Sequence, residues 1–191
     1  MLKLGQKEAM QRARQLLEHQ PVFLDTETTG TGSAAEIIEI AIIDHQGKLL
    51  LERLVKPKGA IEPGAFQVHG ITSEALLDRP SWKQVWPEVE AVLADKPVGI
   101  YNSDFDVRMM RQSHQKYWME WRFPEQNFFC IMKLYAQFFG KWDARRGSYS
   151  WQSLDQAGQQ CGIPLPNSHR AKDDALLARA LFLHMANANM L

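Results

Sequence analysis

Cysteine is scarce in this chain: two in 191 residues, Cys130 and Cys161, with no CxxC pair and no Cys/His cluster. That excludes a disulfide-stapled scaffold and a thiolate metal centre, and the expectation is two reduced thiols in a cytoplasmic protein. Charge of either sign is not in excess. Lys plus Arg and Asp plus Glu both total 22, so the chain is no polycation that coats nucleic acid by charge alone, while a local basic groove stays compatible with it. No apolar run approaches the length needed to span a bilayer, so no membrane partner is expected. The opening stretch "MLKLGQKEAMQRARQLLEHQ" lacks an apolar leader core and a small-residue cleavage site. Its Glu8 and Glu18 also argue against an organelle transit peptide.

What is present is ordinary globular material, 45% hydrophobic and 23% charged, in a length that suits one domain with its own core. Residues 1–20 read as an amphipathic N-terminal helical extension, and residues 21–191 as the domain proper. Pro21 breaks the first helix, and Val22–Thr26 reads as a strand. Isoleucine-rich Glu36–Asp44 reads as a second strand, turning at Gln46–Gly47 into a hairpin partner, "KLLLERLVKP". "GAIEPGAFQVHG" has the Gly and Pro density of a loop. Helices are expected at Ser73–Leu77 and Trp82–Leu93, a short strand at Pro97–Tyr101, and a helix over Asp104–Trp118. "NFFCIM" reads as a fifth strand running into a helix that ends at Phe139. A basic loop, "GKWDARRGSYS", precedes helices at Trp151–Cys161 and Ala171–Ala186. Three meander strands followed by alternating helices and strands predict an α/β fold, a mixed five-stranded sheet flanked by helices.

Three places put acids where a core-building sequence would not. In "FLDTETTG", Asp25 and Glu27 share one strand face at the strand's carboxyl end, where open α/β sheets build their sites. In "YNSDFD", Asp106 follows the fourth strand, where Ser103 and Asp106 would also satisfy a capping box. In "NSHRAKDDALLARALFLHM", helical spacing puts Asp174 at the head of an apolar stripe of Leu177, Ala178, Leu181 and Met185. An ionised acid in such a seam is costly unless a cation meets it. If these points converge, the carboxylates raise one another's pKa, and an all-oxygen set suits Mg²⁺ or Mn²⁺ rather than zinc.

Together "DTETTG", "YNSDFD" and "HRAKDD" resemble the three motifs of the DEDDh (DnaQ-like) 3′-5′ exonucleases of the ribonuclease H-like superfamily. The matches are D-x-E-T-T-G, then N-x-x-F-D through Asn102, Phe105 and Asp106, then H-x4-D through His169 and Asp174. "VHGIT" and "SLDQAGQQCGIPL" resemble further family segments, and the likeness runs from about Pro21 to the end. Helical geometry alone would pair His169 with Asp173; the motif selects Asp174, which requires His169 to lie in the loop before the helix.

The resemblance implies a two-metal hydrolysis that removes nucleotides singly from a 3′ end and releases nucleoside 5′-monophosphates. It implies two Mg²⁺ (or Mn²⁺): Asp25 bridging both, Glu27 and Asp174 completing the tighter site, and Asp106 serving the looser one through water. His169 is the implied general base, with an unperturbed pKa near 6.5 that suits the task. The implied substrate contacts are Thr28, Thr29, Gly30, His69, Asn102 and Phe105, around a single-stranded 3′ end, DNA before RNA. Lys141, Arg145 and Arg146, with Trp142 and Tyr149, form either a strand-tracking patch or a solvated loop. The rival readings are an exoribonuclease on short RNA, an aspartate-nucleophile phosphatase, and a non-catalytic nucleic-acid-binding accessory subunit. The motifs leave polymerase association and oligomeric state open.

Overall fold

β-Branched residues mark the three inner strands of the sheet, while leucine and phenylalanine fill its edges. The computed structural model describes residues 3–189. Val22–Thr28 (β1), Ile37–Ile43 (β2) and Leu49–Leu54 (β3) make the expected antiparallel meander. Val98–Ile100 (β4) and Phe128–Cys130 (β5) add in parallel, giving the order β3-β2-β1-β4-β5. Every residue of β2 is buried, because helices cover both faces.

The helices are Leu4–Glu18 (α1), Pro63–His69 (α2), Ser73–Leu76 (α3), Trp82–Leu93 (α4), Ser103–Lys116 (α5), Ile131–Phe139 (α6), Leu154–Gln160 (α7) and Ala171–Asn187 (α8). On one sheet face Leu24, Ile40 and Ile42 pack with Val85 and Val89 of α4 and Met109 and Met110 of α5. On the other, Phe23 packs with residues of α1, α6, α7 and α8. Each such aliphatic or aromatic burial is worth roughly 1.5–3 kcal/mol. The apolar stripe read from the α8 sequence is the buried one: Leu177, Ala178, Leu181 and Met185 all sit in this second core. No helix of the described residues is long and apolar enough to cross a membrane.

Two segments expected to be irregular are not. "EPGAFQVHG" contains α2, with Pro63 at its first turn and Gly70 ending it in the left-handed conformation (φ 66°). The residues that resembled loop punctuation are helix start and stop signals. The basic loop is a small hairpin, Trp142–Asp143 (β6) with Ser148–Tyr149 (β7), closed by the Ser150 amide donating to the Lys141 carbonyl at 2.8 Å. Asp143 Oδ1 accepts from the Arg145 amide at 2.9 Å, an Asx-type turn that the charge pattern concealed.

Parallel pairing of β1 and β4 puts their carboxyl ends at one edge, and α5 begins there. Gly99 permits this close layer: a Cβ on it would lie 2.6 Å from the Phe129 ring and 3.1 Å from that of Phe23. Phe23 in turn packs against Phe182 of α8, with ring centroids 5.3 Å apart and ring planes tilted by 55°. Asp174 lies roughly two helical turns before Phe182, and Asp25 two residues after Phe23. The Phe23–Phe182 contact is part of the core that ties α8 to β1 near both acids.

Candidate active site

Strand alternation turns Asp25 and Glu27 toward α8, and the buried stripe turns Asp174 toward them. Carboxylate oxygens of Asp25, Glu27 and Asp174 come within 4.8 Å of one another. Asp106 is not in that group. It is buried in the first turn of α5, where Thr26 Oγ1, on the opposite face of β1, donates to its Oδ1 at 2.7 Å. The four acids are nonetheless one electrostatic unit. Burial, then the charge of Asp106, then those of Glu27, Asp174 and Glu39 push the Asp25 carboxyl well above its ordinary range. Burial is also the leading cause at Glu27, raised to about 8, where Asp174, Glu39 and Asp106 add to it. Burial raises Asp106 to about 7 against the Thr26 hydrogen bond, and Asp174 to about 6 against the pull of His169.

Among the described residues, no lysine or arginine forms an ion pair with any of these four acids. The donor set is all carboxylate oxygen, buried and mutually repelling, and so fits hard divalent cations.

His169 lies in the segment before α8, with its backbone in the left-handed region (φ 53°) and its side chain half exposed. Its Nδ1 is 3.9 Å from Asp174 Oδ2. Leaving the helix is what removes it from the i+4 pairing with Asp173, whose Oδ2 instead accepts from the Ser168 hydroxyl at 2.6 Å. The Ser168 amide donates to Asp174 Oδ1 at 3.1 Å. With its amide nitrogen turned to the carboxylate, Asn167 donates to both Asp174 oxygens, at 2.7 and 2.9 Å. The 167–170 segment is thus tied to the acid it precedes.

Beside Glu27 lies a cavity of about 340 Å³ whose lining includes Thr28, Gly30, Glu62, Val68, His69 and Phe105. A Cβ on Gly30 would meet the Glu62 carboxylate, the end of an exposed side chain that would have to swing aside. Thr28 lines this cavity, and the hydroxyls of both Thr28 and Thr29 are engaged within the protein. The Thr28 hydroxyl donates to the Gly30 carbonyl at 2.7 Å. The Thr29 hydroxyl accepts from the Glu36 amide at 3.0 Å, and Thr29 is not among the lining residues. His69 is buried; its Nδ1 accepts from the Ile71 amide at 3.0 Å, so its Nε2 carries the proton and donates to the Thr28 carbonyl at 3.2 Å. Burial lowers its pKa, in keeping with a neutral ring that braces β1. Asn102 caps α5 in the left-handed conformation (φ 68°) with its side chain exposed. Phe105 lines the cavity, with the Arg108 guanidinium 5.4 Å from its ring centroid.

Sequence reading missed Glu39 and Arg170. Glu39 is directly opposite Glu27 in the β1–β2 register and is 1% exposed. Its Oε2 accepts from Arg170 Nε at 3.1 Å and from the Ala171 amide at 3.0 Å, and its Oε1 from Arg170 Nη2 at 2.5 Å. The available signal was the acid itself, standing alone between isoleucines in "IIEIAII".

A family model described as Exonuclease (RNase_T) matches residues 22–182. The chain is 37% identical over 169 residues to an uncharacterized exonuclease, CP81, of Escherichia phage 186, covering 86% of this chain and 87% of that protein. It is 31% identical over 119 residues to the DNA polymerase III subunit epsilon of Escherichia coli K12, covering 57% of this chain and 48% of the subunit. A match to the PolC-type DNA polymerase III of Thermotoga maritima, 31% identical over 167 residues, covers 85% of this chain but only 11% of the polymerase. Of solved structures, exonuclease X in complex with 5′ overhanging duplex DNA superposes with a TM-score of 0.63 at 25% identity, over 87% of this chain and 90% of that one. Exonuclease I superposes with a TM-score of 0.69 at 19% identity, over 85% and 40%, a likeness of fold.

Proposed function

The chain belongs to the exonuclease family, as a DEDDh (DnaQ-like) nuclease with the ribonuclease H-like fold, and from that premise we propose that it shortens single-stranded DNA from the 3′ end and releases nucleoside 5′-monophosphates. The observation that carries this reading is the meeting of Asp25, Glu27 and Asp174 within 4.8 Å, with Asp106 electrostatically joined to them and no lysine or arginine paired with them among the described residues. These four acids would hold two divalent cations, Mg²⁺ or Mn²⁺. Once bound, such ions supply charge neutralisation at the scissile phosphate and a water of lowered pKa.

The chain's own residues do the rest. His169, beside Asp174 and open to solvent, takes a proton from the attacking water on its imidazole. The water oxygen bonds to phosphorus as the bond from phosphorus to the 3′ oxygen of the preceding nucleotide breaks, and that oxygen takes a proton from solvent and leaves as the new 3′ hydroxyl. The cavity lined by Thr28, Gly30, Val68, His69 and Phe105 seats the terminal nucleoside, an apolar wall with few polar groups. His69 acts there through the backbone, holding the Thr28 carbonyl and hence the end of β1. Asn102, exposed at the start of α5, is free to contact the nucleic acid. DNA is favoured because the relatives named above are a DNA polymerase subunit and an exonuclease solved on DNA.

The test uses single-stranded DNA and RNA of one sequence, labelled at either end, with Mg²⁺ or Mn²⁺ and with Asp25→Ala as control. Stepwise loss from the 3′ end of DNA, absent in the control, is expected. Shortening of RNA in preference to DNA moves the substrate assignment, and no metal-dependent shortening of either polymer overturns the reading.

A further inference from the structure

Glu39 is a buried acid on the same sheet face as the candidate metal ligands, but its surroundings are of another kind. Its two oxygens grip the Arg170 guanidinium with two hydrogen bonds, and one of them also accepts from the Ala171 amide, the first residue of α8. Arg170 is the N-cap residue and supplies no side-chain cap of its own. The strand therefore delivers the helix cap from outside, an acceptor for an amide that would otherwise lack one. Arg170 is flanked by His169, whose left-handed backbone a non-glycine residue keeps only when its neighbours hold it. Asp174 lies one turn further on, its amide donating to the Arg170 carbonyl at 3.0 Å. A planar fork on a buried carboxylate fixes orientation as well as distance.

We propose that Glu39, acting through Arg170 and the Ala171 amide, is the positioning residue that sets where His169 stands over the carboxylate cluster. The claim rests on the assignment of His169 as the base in the proposed hydrolysis. Glu39 touches neither substrate nor reacting atoms. It registers the start of α8 against β2, so the strand that bears Glu39 opposite Glu27 also fixes the height of the imidazole beside Asp174. Loss of the carboxylate would free the guanidinium and loosen the backbone at residues 169–170, while Asn167 and Ser168 stay bonded to Asp173 and Asp174 and the rest of α8 is held by its buried stripe.

Glu39→Gln keeps the side-chain shape and an oxygen for the Ala171 amide, but weakens the grip on Arg170. Arg170→Lys keeps the charge, replaces the fork with a point donor, and alters a half-exposed side chain whose change leaves the core intact. Steady-state kinetics on end-labelled single-stranded DNA at saturating Mg²⁺, normalised to folded protein, give the first readout. Both variants are expected to lower kcat about 10–100-fold with KM within about twofold. The second readout, independent of turnover, is the His169 ring signal in ¹H–¹³C NMR spectra of the metal-free protein. It is expected to shift and broaden in both variants. Unchanged kcat per folded molecule with an unmoved His169 signal in both overturns the proposal, as does a loss of activity explained wholly by loss of folded protein. If the wild-type protein itself degrades no DNA, it is the nuclease reading that fails; the ring signal then still decides whether Glu39 orients His169.

Discussion

Glu27 and Glu39 face each other across the β1–β2 ladder, on one side of one sheet, and their fates differ. Glu39 is met by a guanidinium fork and a helix amide. Glu27 is met by Asp25 and Asp174, and its pKa climbs to about 8. An acid that braces the start of a helix is neutralised by the fold. An acid proposed to hold a cation has no lysine or arginine paired with it among the described residues and lies among acids of its own sign, at a cost in the metal-free protein. Facing positions on one side of the sheet thus carry a bracing carboxylate and a candidate metal ligand, and the partner of each tells them apart.

Removing the centre of the bare cluster has the largest effect. Asp25→Asn deletes the charge to which burial and every neighbouring acid couple. Its expected loss of DNA hydrolysis exceeds the roughly 10²–10⁴-fold that a general base contributes, with folding retained by circular dichroism. His169→Ala comes next. It is expected to slow turnover within that same range while divalent-ion binding measured by calorimetry stays close to wild type.

Stability breaks the comparison most cleanly, because the two glutamates respond with opposite signs. Glu39→Ala leaves Arg170 without its partner and is expected to destabilise by about 2–4 kcal/mol, toward the low end for buried pairs because Arg170 is half exposed. Glu27→Gln is expected to stabilise the metal-free protein above pH 8. Glu27 binds its proton more tightly folded than unfolded, its pKa being raised from 4.5 to about 8 by burial first. Its contribution to stability is therefore fully present below about pH 4.5 and is lost as pH rises through about 8. Thermal melts of the metal-free wild type should fall by several degrees between pH 5 and 8.5, and less in Glu27→Gln, with roughly 2–4 °C for each kcal/mol in a chain of this size. The smallest effect is expected for Thr26→Val, which removes the hydroxyl donor on Asp106. A loss of roughly 1–2 kcal/mol of metal-bound stability, read by melting with saturating Mg²⁺, sharpens the distinction between an acid braced by a neutral donor and one braced by a cation.

The sheet and the position of the acids were legible because both depend on local pattern. Isoleucine runs mark β2, the helical recurrence of Val85 and Val89 marks α4, and alternation puts Asp25 and Glu27 on one face. The separation of His169 from the helix was legible in "PNSH", and its left-handed backbone accounts for the choice of Asp174 over Asp173. What escaped depended on context. Pro63 and Gly70 were punctuation for a seven-residue helix rather than for a loop. The β6–β7 hairpin has two residues a strand, too few for any periodicity. The inward use of the Thr29 hydroxyl depends on the Glu36 amide seven residues away. Glu39 escaped because its partner is 131 residues distant, and no local pattern announces an ion pair across that span.

If the bare acids form a cation site, calorimetric titration of Mn²⁺ into the metal-free protein will reveal it. With thymidine 5′-monophosphate present to occupy the cavity, two ions are expected to bind per chain in the wild type, and that binding is expected to be lost in Asp25→Asn. No binding by the wild type, or equal binding by the variant, would contradict the cation site.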